Sequence, residues 1–91
     1  MFVGILSLEL YFPGSGSLKS KRFVLRSIKD RLKKLNVSVA EEPNNLWQKS
    51  MLTVACVAND KTQIFSTFET VQKMVLSNGE VELLNSQMEI L

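Results

Sequence analysis

The sequence predicts an α+β fold with six elements in the order β-α-β-β-α-β, contained in a single domain over residues 1–91. Apolar residues alternate with polar ones at the start, change to helical spacing from residue 17, and show both patterns again after residue 36. Hydrophobic residues make up 45% of the chain and charged residues 22%, which is typical of globular proteins and excludes a disordered chain. A domain usually takes about 100–200 residues, so there is no room for a separate cofactor domain.

The first twelve residues form the first predicted strand, whose large apolar side chains share one face: Phe2, Leu6, Leu8, Leu10 and Phe12. Ser7, Glu9 and Tyr11 fall on the opposite face. Gly4 falls on the apolar face, where its missing side chain lets a helix approach the strand closely. Residues 13–16 read Pro-Gly-Ser-Gly, a composition that predicts a loop after the strand.

The first helix is predicted over Leu18–Leu35, with Ser17 as its N-cap and Asn36 as its terminator. Its apolar residues fall within about 120° of arc, which predicts the face that packs on the core. These residues are Leu18, Val24, Leu25, Ile28, Leu32 and Leu35.

A short strand is predicted over Val37–Glu42, followed by a turn over residues 43–45 and a longer strand over Trp47–Ala58. Both faces of the longer strand are fairly apolar, which predicts a central position in the sheet. Cys56 lies on its core face and is expected to be a small buried hydrophobe.

The second helix is predicted to begin after Asp60, an N-cap with Gln63 three residues later as a variant of the capping box. Asn78-Gly79 is expected to end this helix, and a last strand follows over Val81–Leu91. The apolar residues of the helix recur at helical spacing and are Ile64, Phe68, Val71 and Val75.

This order of elements in about 90 residues is typical of a ferredoxin-like two-layer sandwich. We therefore expect a four-stranded antiparallel sheet with two helices on one face. The other face would be open, with Trp47 at one end, and would carry Ser7, Glu9, Tyr11, Lys49, Met51 and Thr53.

The chain has one cysteine and no histidine. One cysteine cannot form an intrachain disulfide, and no apolar run reaches the ~18 residues of a membrane span, so we expect a cytoplasmic protein. The lack of histidine removes the commonest general base and, with one cysteine, excludes a structural zinc site. We therefore expect no catalytic residue, cofactor or metal. An enzyme would need Tyr11, Glu41 and Lys49 together in a deep pocket.

Positive charge is concentrated in the first predicted helix. Eight of the eleven lysines and arginines lie between Lys19 and Lys34, against a single acid, Asp30. This segment carries a net charge of +7, and since the whole chain carries +2, the remainder carries −5. Cations four residues apart on a helix repel each other by about 0.2–0.5 kcal/mol per pair. Such a conflict with stable helix design often marks a functional site.

Four of these cations recur at i, i+4, i+7 and i+11 along one side of the helix, and two more precede them. The pattern predicts a surface for polyanions, most simply the phosphates of RNA. A solvated face that keeps the protein soluble, or a face that docks on an acidic protein or a membrane, are the alternatives. A membrane role is weakened because the apolar side of the helix is needed for the core. The candidate nucleic-acid-binding residues are Lys19, Lys21, Arg22, Arg26, Lys29 and Lys33.

Phe23 falls at the edge of these cations, where it can stack on a base or tuck under a neighbouring loop or strand, and we expect the second. Glu41 and Glu42 point to opposite faces of their strand and form no acid–base pair. We expect Glu41 to form a structural ion pair near Trp47 or Lys49, across the hairpin.

A homodimer through the open sheet face is the other functional hypothesis. It would bury Tyr11, Met51, Thr53 and Trp47 between two copies. Trp47 is expected to anchor its own loop or this interface rather than to form a ligand platform. The candidate interaction residues are Tyr11, Glu41, Trp47 and Met51.

Two segments carry a family resemblance. The helix start over residues 17–22, Ser-Leu-Lys-Ser-Lys-Arg, resembles the S-L-K-x-K-R signature of the bacterial YlxP-like family. Residues 36–41, Asn-Val-Ser-Val-Ala-Glu, followed by Trp47-Gln48, resemble its N-V-S-V-A-E…W-Q segment. The chain departs from the family at Asn45, where an aspartate is common, and in a slightly shorter turn, so no acid-dependent role carries over to that position.

The resemblance covers the whole chain and implies a ferredoxin-like fold in a cytoplasmic bacterial protein. It implies no catalytic residues, since the family is essentially uncharacterised by function. Genes of the family often lie beside those of translation and ribosome-maturation factors, which favours an RNA-binding or ribosome-associated role. Five residues of the family motifs are also candidate binding or interaction residues: Lys19, Lys21, Arg22, Glu41 and Trp47.

Overall fold

A computed structural model describes residues 1–42, 44–77 and 79–91 of the chain. The predicted order of elements is confirmed, and the sheet has the strand order β2-β3-β1-β4 with antiparallel neighbours throughout. This is the ferredoxin-like arrangement of four strands and two helices. The elements are β1 (Phe2–Tyr11), α1 (Leu18–Leu32), β2 (Ser38–Glu42), β3 (Lys49–Ala58), α2 (Lys61–Leu76) and β4 (Glu82–Ile90).

The two central strands, β1 and β3, pair along their full length, from Phe2 opposite Ala58 to Tyr11 opposite Lys49. Their side chains alternate between the helix side and the open side, as the sequence pattern predicted. The helix side carries the buried core, including Leu6, Leu8 and Leu10 of β1 and Leu52, Val54 and Cys56 of β3. The central position of β3 and the burial of Cys56 are both confirmed.

Helix α2 packs directly over Gly4. A Cβ atom at this position would lie 2.9 Å from Cε2 of Phe68 and would also overlap Cγ2 of Ile64. Real Cβ contacts are longer, so only glycine allows α2 to sit this close to β1. The predicted close approach of a helix at Gly4 is confirmed.

Helix α1 begins as predicted and ends three residues early. The Ser17 hydroxyl accepts a hydrogen bond from the Ser20 amide at 3.1 Å, which confirms the N-cap. After Leu32 the chain tightens, because the amide of Leu35 bonds to the Leu32 carbonyl at 3.0 Å in the i to i+3 pattern. No glycine, proline or asparagine precedes Asn36 in this segment to mark the end of the helix, so the predicted end was too late.

Helix α2 is capped by Asp60, whose carboxylate accepts from the Thr62 amide at 2.8 Å. Its four predicted core residues, Ile64, Phe68, Val71 and Val75, are all buried. The predicted stop at Asn78-Gly79 falls partly outside the described residues, which exclude Asn78. Gly79 has a φ of +72°, the left-handed conformation that glycine favours after a helix.

The strand boundaries differ from prediction by one or two residues at their ends. Trp47 and Gln48 lie before β3 rather than within it, and β2 begins one residue later than predicted. Within the described ranges, neither helix is long and apolar enough to cross a membrane.

Candidate nucleic-acid interface

The flank of α1 that faces β2 carries most of its exposed cations. The helical repeat aligns Arg22, Arg26 and Lys33 on this flank, and all three are exposed. A surface depression between the helix and the sheet edge is lined by residues 37–39 on the sheet side and, on the helix side, by Arg26, Lys29, Asp30 and Lys33. We call Lys19, Arg22, Arg26 and Lys33 the basic face.

Lys29 belongs to the same stripe in sequence but is held in a structural ion pair. Its Nζ lies 3.0 Å from Oε1 of Glu41, and both side chains are about two-thirds covered. The expected structural ion pair of Glu41 is confirmed, but its partner lies on α1 and not near Trp47 or Lys49 across the hairpin. Glu41 lies opposite Leu52 in the sheet and therefore points to the helix side, where α1 supplies the cation.

Lys33 is also near a carboxylate, but this contact is weak. Its Nζ lies 3.7 Å from Oδ1 of Asp30, and both side chains are well exposed. Exposed pairs of this kind are worth about 0–1 kcal/mol, so Lys33 remains available to a ligand.

Lys21 lies in the interior, with only 1% of its surface exposed, although it was predicted to contact phosphates from the helix surface. Its ammonium group donates to Oδ1 of Asn44 at 2.9 Å and to the carbonyl of Lys49 at 3.1 Å. Asn44 also accepts from the Leu46 amide at 3.0 Å, so the same side chain orders the loop before β3. Lys21 thus fastens the hairpin loop to α1 and is removed from the candidate interface.

The burial of Lys21 could have been predicted from its position among the apolar residues of the helix, but the charge pattern grouped it with the surface cations. Lys21 stands three residues after Leu18 and four before Leu25, which places it within the apolar arc of the helix. Burial lowers the pKa of Lys21, while the nearby Glu41 charge raises it and the Arg22 charge lowers it further. The hydrogen bonds to Asn44 and Lys49 keep the buried ammonium solvated by protein groups.

Phe23 projects into solvent with 77% of its surface exposed. The expectation that it would tuck under a loop or strand is therefore wrong. The helical repeat puts Lys19 one turn before it and Arg26 one turn after it, both exposed. An aromatic ring thus stands between two cations on the outer surface of α1.

The open face of the sheet has the opposite charge. Among the described residues, this face carries one lysine, Lys49. The strand register also places four carboxylates on it: Glu9, Glu42, Glu82 and Glu89. Tyr11 and Met51 lie on this face and are partly covered. Glu41 lies on the helix side, away from the candidate interaction residues Tyr11 and Met51.

Leu46 and Trp47 are exposed side by side in the loop before β3, at 55% and 56% of their surfaces. Trp47 is therefore somewhat less than half covered by the rest of the domain. These two side chains form a small apolar patch next to the sheet.

The residues considered for catalysis do not converge. Tyr11 and Lys49 are partners across the open face, whereas Glu41 faces α1 on the other side of the sheet. In the part of the chain that the structure describes, no three histidine, cysteine, aspartate or glutamate residues come together as a set that could hold a metal ion.

Comparison with known proteins agrees with this fold and with the predicted family. A family model described as a protein of unknown function, DUF503, matches residues 3–88. The uncharacterised protein YlxP of Bacillus subtilis (strain 168) is 32% identical over 82 residues, covering 88% of this chain and 89% of that protein.

Two solved structures share the architecture at low sequence identity. A de novo designed protein with a ferredoxin fold matches all of this chain and 84% of its own, with a TM-score of 0.60 and 7% identity. A C-terminal segment of the alpha subunit of aIF2 from Pyrococcus abyssi matches 98% of this chain and 49% of its own, with a TM-score of 0.56 and 14% identity. At such identities the likeness concerns the fold alone.

Proposed function

This chain belongs to the DUF503 family of proteins of unknown function, and we propose that it is a non-enzymatic module that binds RNA through the basic face of its first helix. Free RNA, or RNA within a ribosome, would present its phosphates to Lys19, Arg22, Arg26 and Lys33. Contacts of this kind fix the position of a protein on RNA and carry little sequence information.

The observation that carries the proposal is the exposure of Lys19, Arg22, Arg26 and Lys33 on a helix that two other cations hold in place. Lys21 and Lys29 are committed to Asn44 and Glu41, and they hold the helix against the hairpin. The basic face is thus a solvent-exposed row of cations on a helix that Lys21 and Lys29 help to hold in place. No structural need accounts for arginines and lysines that repel one another along one flank.

The acidic sheet face also favours binding of RNA on the α1 side of the domain. A phosphate backbone is attracted to α1 and repelled by Glu9, Glu42, Glu82 and Glu89 on the other side of the domain. Within residues 1–42, 44–77 and 79–91, the sheet face also lacks the row of aromatic side chains that stacks bases in sheet-based RNA-binding domains.

The test is binding to purified small-subunit ribosomal RNA and to a mixed RNA pool over a range of salt concentrations. Four neutralised phosphates predict a slope of log K against log salt of roughly −3 to −4. The triple variant Arg22→Glu, Arg26→Glu, Lys33→Glu should lose this binding and keep its fold by circular dichroism, because all three side chains are exposed.

A matched control separates the basic face from net charge. Lys49→Glu, Lys61→Glu, Lys73→Glu also replaces three exposed cations, and each variant goes from +2 to −4 because every reversal removes two charges. We expect the control to retain most of the affinity at physiological salt. Equal loss in both variants, or binding by the first variant as tight as wild type, would refute the proposal.

A homodimer is the second candidate, favoured by the exposed pair Leu46 and Trp47 beside the sheet. Two copies that bury this patch would place Tyr11 and Met51 near the interface. Sedimentation velocity at micromolar concentration should then give a dimer that Trp47→Ser converts to a monomer. A monomer in the wild-type protein would remove this candidate.

A further inference from the structure

We infer that the RNA bound by this domain is single-stranded and that one of its bases stacks on Phe23. The inference rests on the proposed function and names the class of RNA that this surface takes. Its ground is the position of Phe23, an exposed ring between exposed cations on a convex helix surface.

The exposure of Phe23 has no explanation in folding. With 77% of its surface in water, the ring adds almost nothing to the core, and β-branched and aromatic residues are weaker helix formers than leucine or lysine. The buried face of α1 is complete without it, since Leu25, Ile28 and Leu32 are each at most 1% exposed. A large apolar ring kept on the solvent side is therefore suited to a ligand.

The cations beside Phe23 indicate which chemical groups the ligand carries. Lys19 and Arg26 lie one helical turn to either side, so a ligand over the ring meets a cation before and after it. A single strand of RNA presents this alternation of flat base and phosphate. Stacking of a base on an aromatic ring is tolerant of sequence because every base has a π-face.

A duplex does not offer the same contacts. In A-form RNA the bases are stacked on each other, and the protein meets the phosphates and the 2′-hydroxyls of a shallow minor groove. A helix with one projecting ring can reach duplex phosphates but finds no free base face. We therefore expect the wild-type protein to prefer single strands at equal salt.

The experiment compares an unstructured oligonucleotide with a duplex of the same number of phosphates, for wild type, Phe23→Ala and Phe23→Trp. Phe23→Ala should weaken single-strand binding at least about fivefold, the lower end of measured stacking losses, and leave duplex binding unchanged. Phe23→Trp should restore it. Phe65→Ala, which removes a 48%-exposed ring from α2, is the matched control and should bind both RNAs like wild type.

A direct readout follows from the composition, because Trp47 is the chain's single tryptophan. In a Trp47→Phe background, Phe23→Trp places a unique fluorophore at the proposed stacking position. Its emission should be quenched by the single-stranded RNA and not by the duplex, since stacking on a base shortens the excited state.

The outcomes distinguish the failure of RNA binding from the failure of base stacking on Phe23. Binding to neither RNA would overturn the proposed function, and this inference with it. Salt-dependent binding to both RNAs, with equal affinities and no effect of Phe23→Ala, would overturn the inference alone and leave phosphate binding by the basic face standing. Capture of an acidic protein but of no RNA would assign the same surface to a protein partner and overturn both.

Discussion

At the scale of single residues, Lys21 stabilises the fold although it lies on the helix that carries the candidate RNA-binding cations. Its side chain crosses the boundary between α1 and the hairpin loop and donates to Asn44 and to the Lys49 carbonyl. Burial lowers its pKa from the ordinary value of 10.5, although the Glu41 charge opposes the shift. Burying the charged ammonium of Lys21 therefore lowers the free energy of unfolding by an amount that depends on pH.

The sign of that dependence follows from proton binding. Between the lowered folded pKa and the unfolded value of 10.5, the unfolded chain binds more protons at Lys21 than the folded protein does. Stability contributed by this residue rises with pH across that interval. The cost of burying the charged form is fully present below it.

We predict that the free energy of unfolding of wild type rises relative to that of Lys21→Met as the pH approaches 10.5. Methionine has a similar length and no titrating group, so the difference between the two proteins isolates Lys21. Urea unfolding across the alkaline range measures it, and Lys19→Met, an exposed neighbour, serves as the control. A difference that stays flat or shrinks with pH would contradict the prediction.

At the scale of elements, α1 and β2 are joined by the pair between Lys29 and Glu41. The pair links the helix to an edge strand of five residues. Because the pair is neutral, it contributes little to the attraction of phosphates. Under the proposed function, cations that are equivalent in the sequence pattern would divide between stabilising the fold and binding RNA.

We predict that the double variant Lys29→Met, Glu41→Gln loses up to about 1 kcal/mol of stability, as for a partly exposed pair. Its RNA affinity should stay within about twofold of wild type, because no net charge changes. Lys33→Met should instead keep its stability and reduce the salt slope by about one. Thermal unfolding and salt titrations of both variants check this division, and a larger affinity loss in the double variant would refute it.

At the scale of the whole molecule, the charges are sorted onto two opposed surfaces. The domain measures 42 × 20 × 18 Å, so the basic face and the acidic sheet face are separated by its short dimensions. The Debye length at physiological salt is about 8 Å, which is well below that separation. At that salt each face therefore acts on a ligand nearly independently of the other.

We predict that Glu9→Gln, Glu42→Gln, Glu82→Gln changes RNA affinity by less than about threefold at physiological salt, because screening hides the far face. At ~0.01 M salt, where the Debye length reaches about 30 Å, the same variant should bind more tightly than wild type. Titrations at the two salt concentrations test this. A large gain at physiological salt would place RNA on the sheet face instead.

Much of the fold follows from local patterns in the sequence. Alternation placed Leu6, Leu8 and Leu10 on the core face, and helical spacing placed Ile64 and Phe68 there. Both N-caps, Ser17 and Asp60, are confirmed because capping depends on residues within one turn of the chain. These features need no knowledge of distant neighbours.

The state of the cations on α1 was decided by tertiary structure. The sequence placed eight of them on or next to one helix, but it did not show that Asn44 covers Lys21 or that Glu41 faces Lys29. Those partners come from residues 23 and 12 positions away, brought in by the sheet register and the hairpin. The exposure of Phe23 is also decided by tertiary structure. The sequence of the helix does not show whether another part of the chain covers this side chain, and in the structure the ring is left exposed.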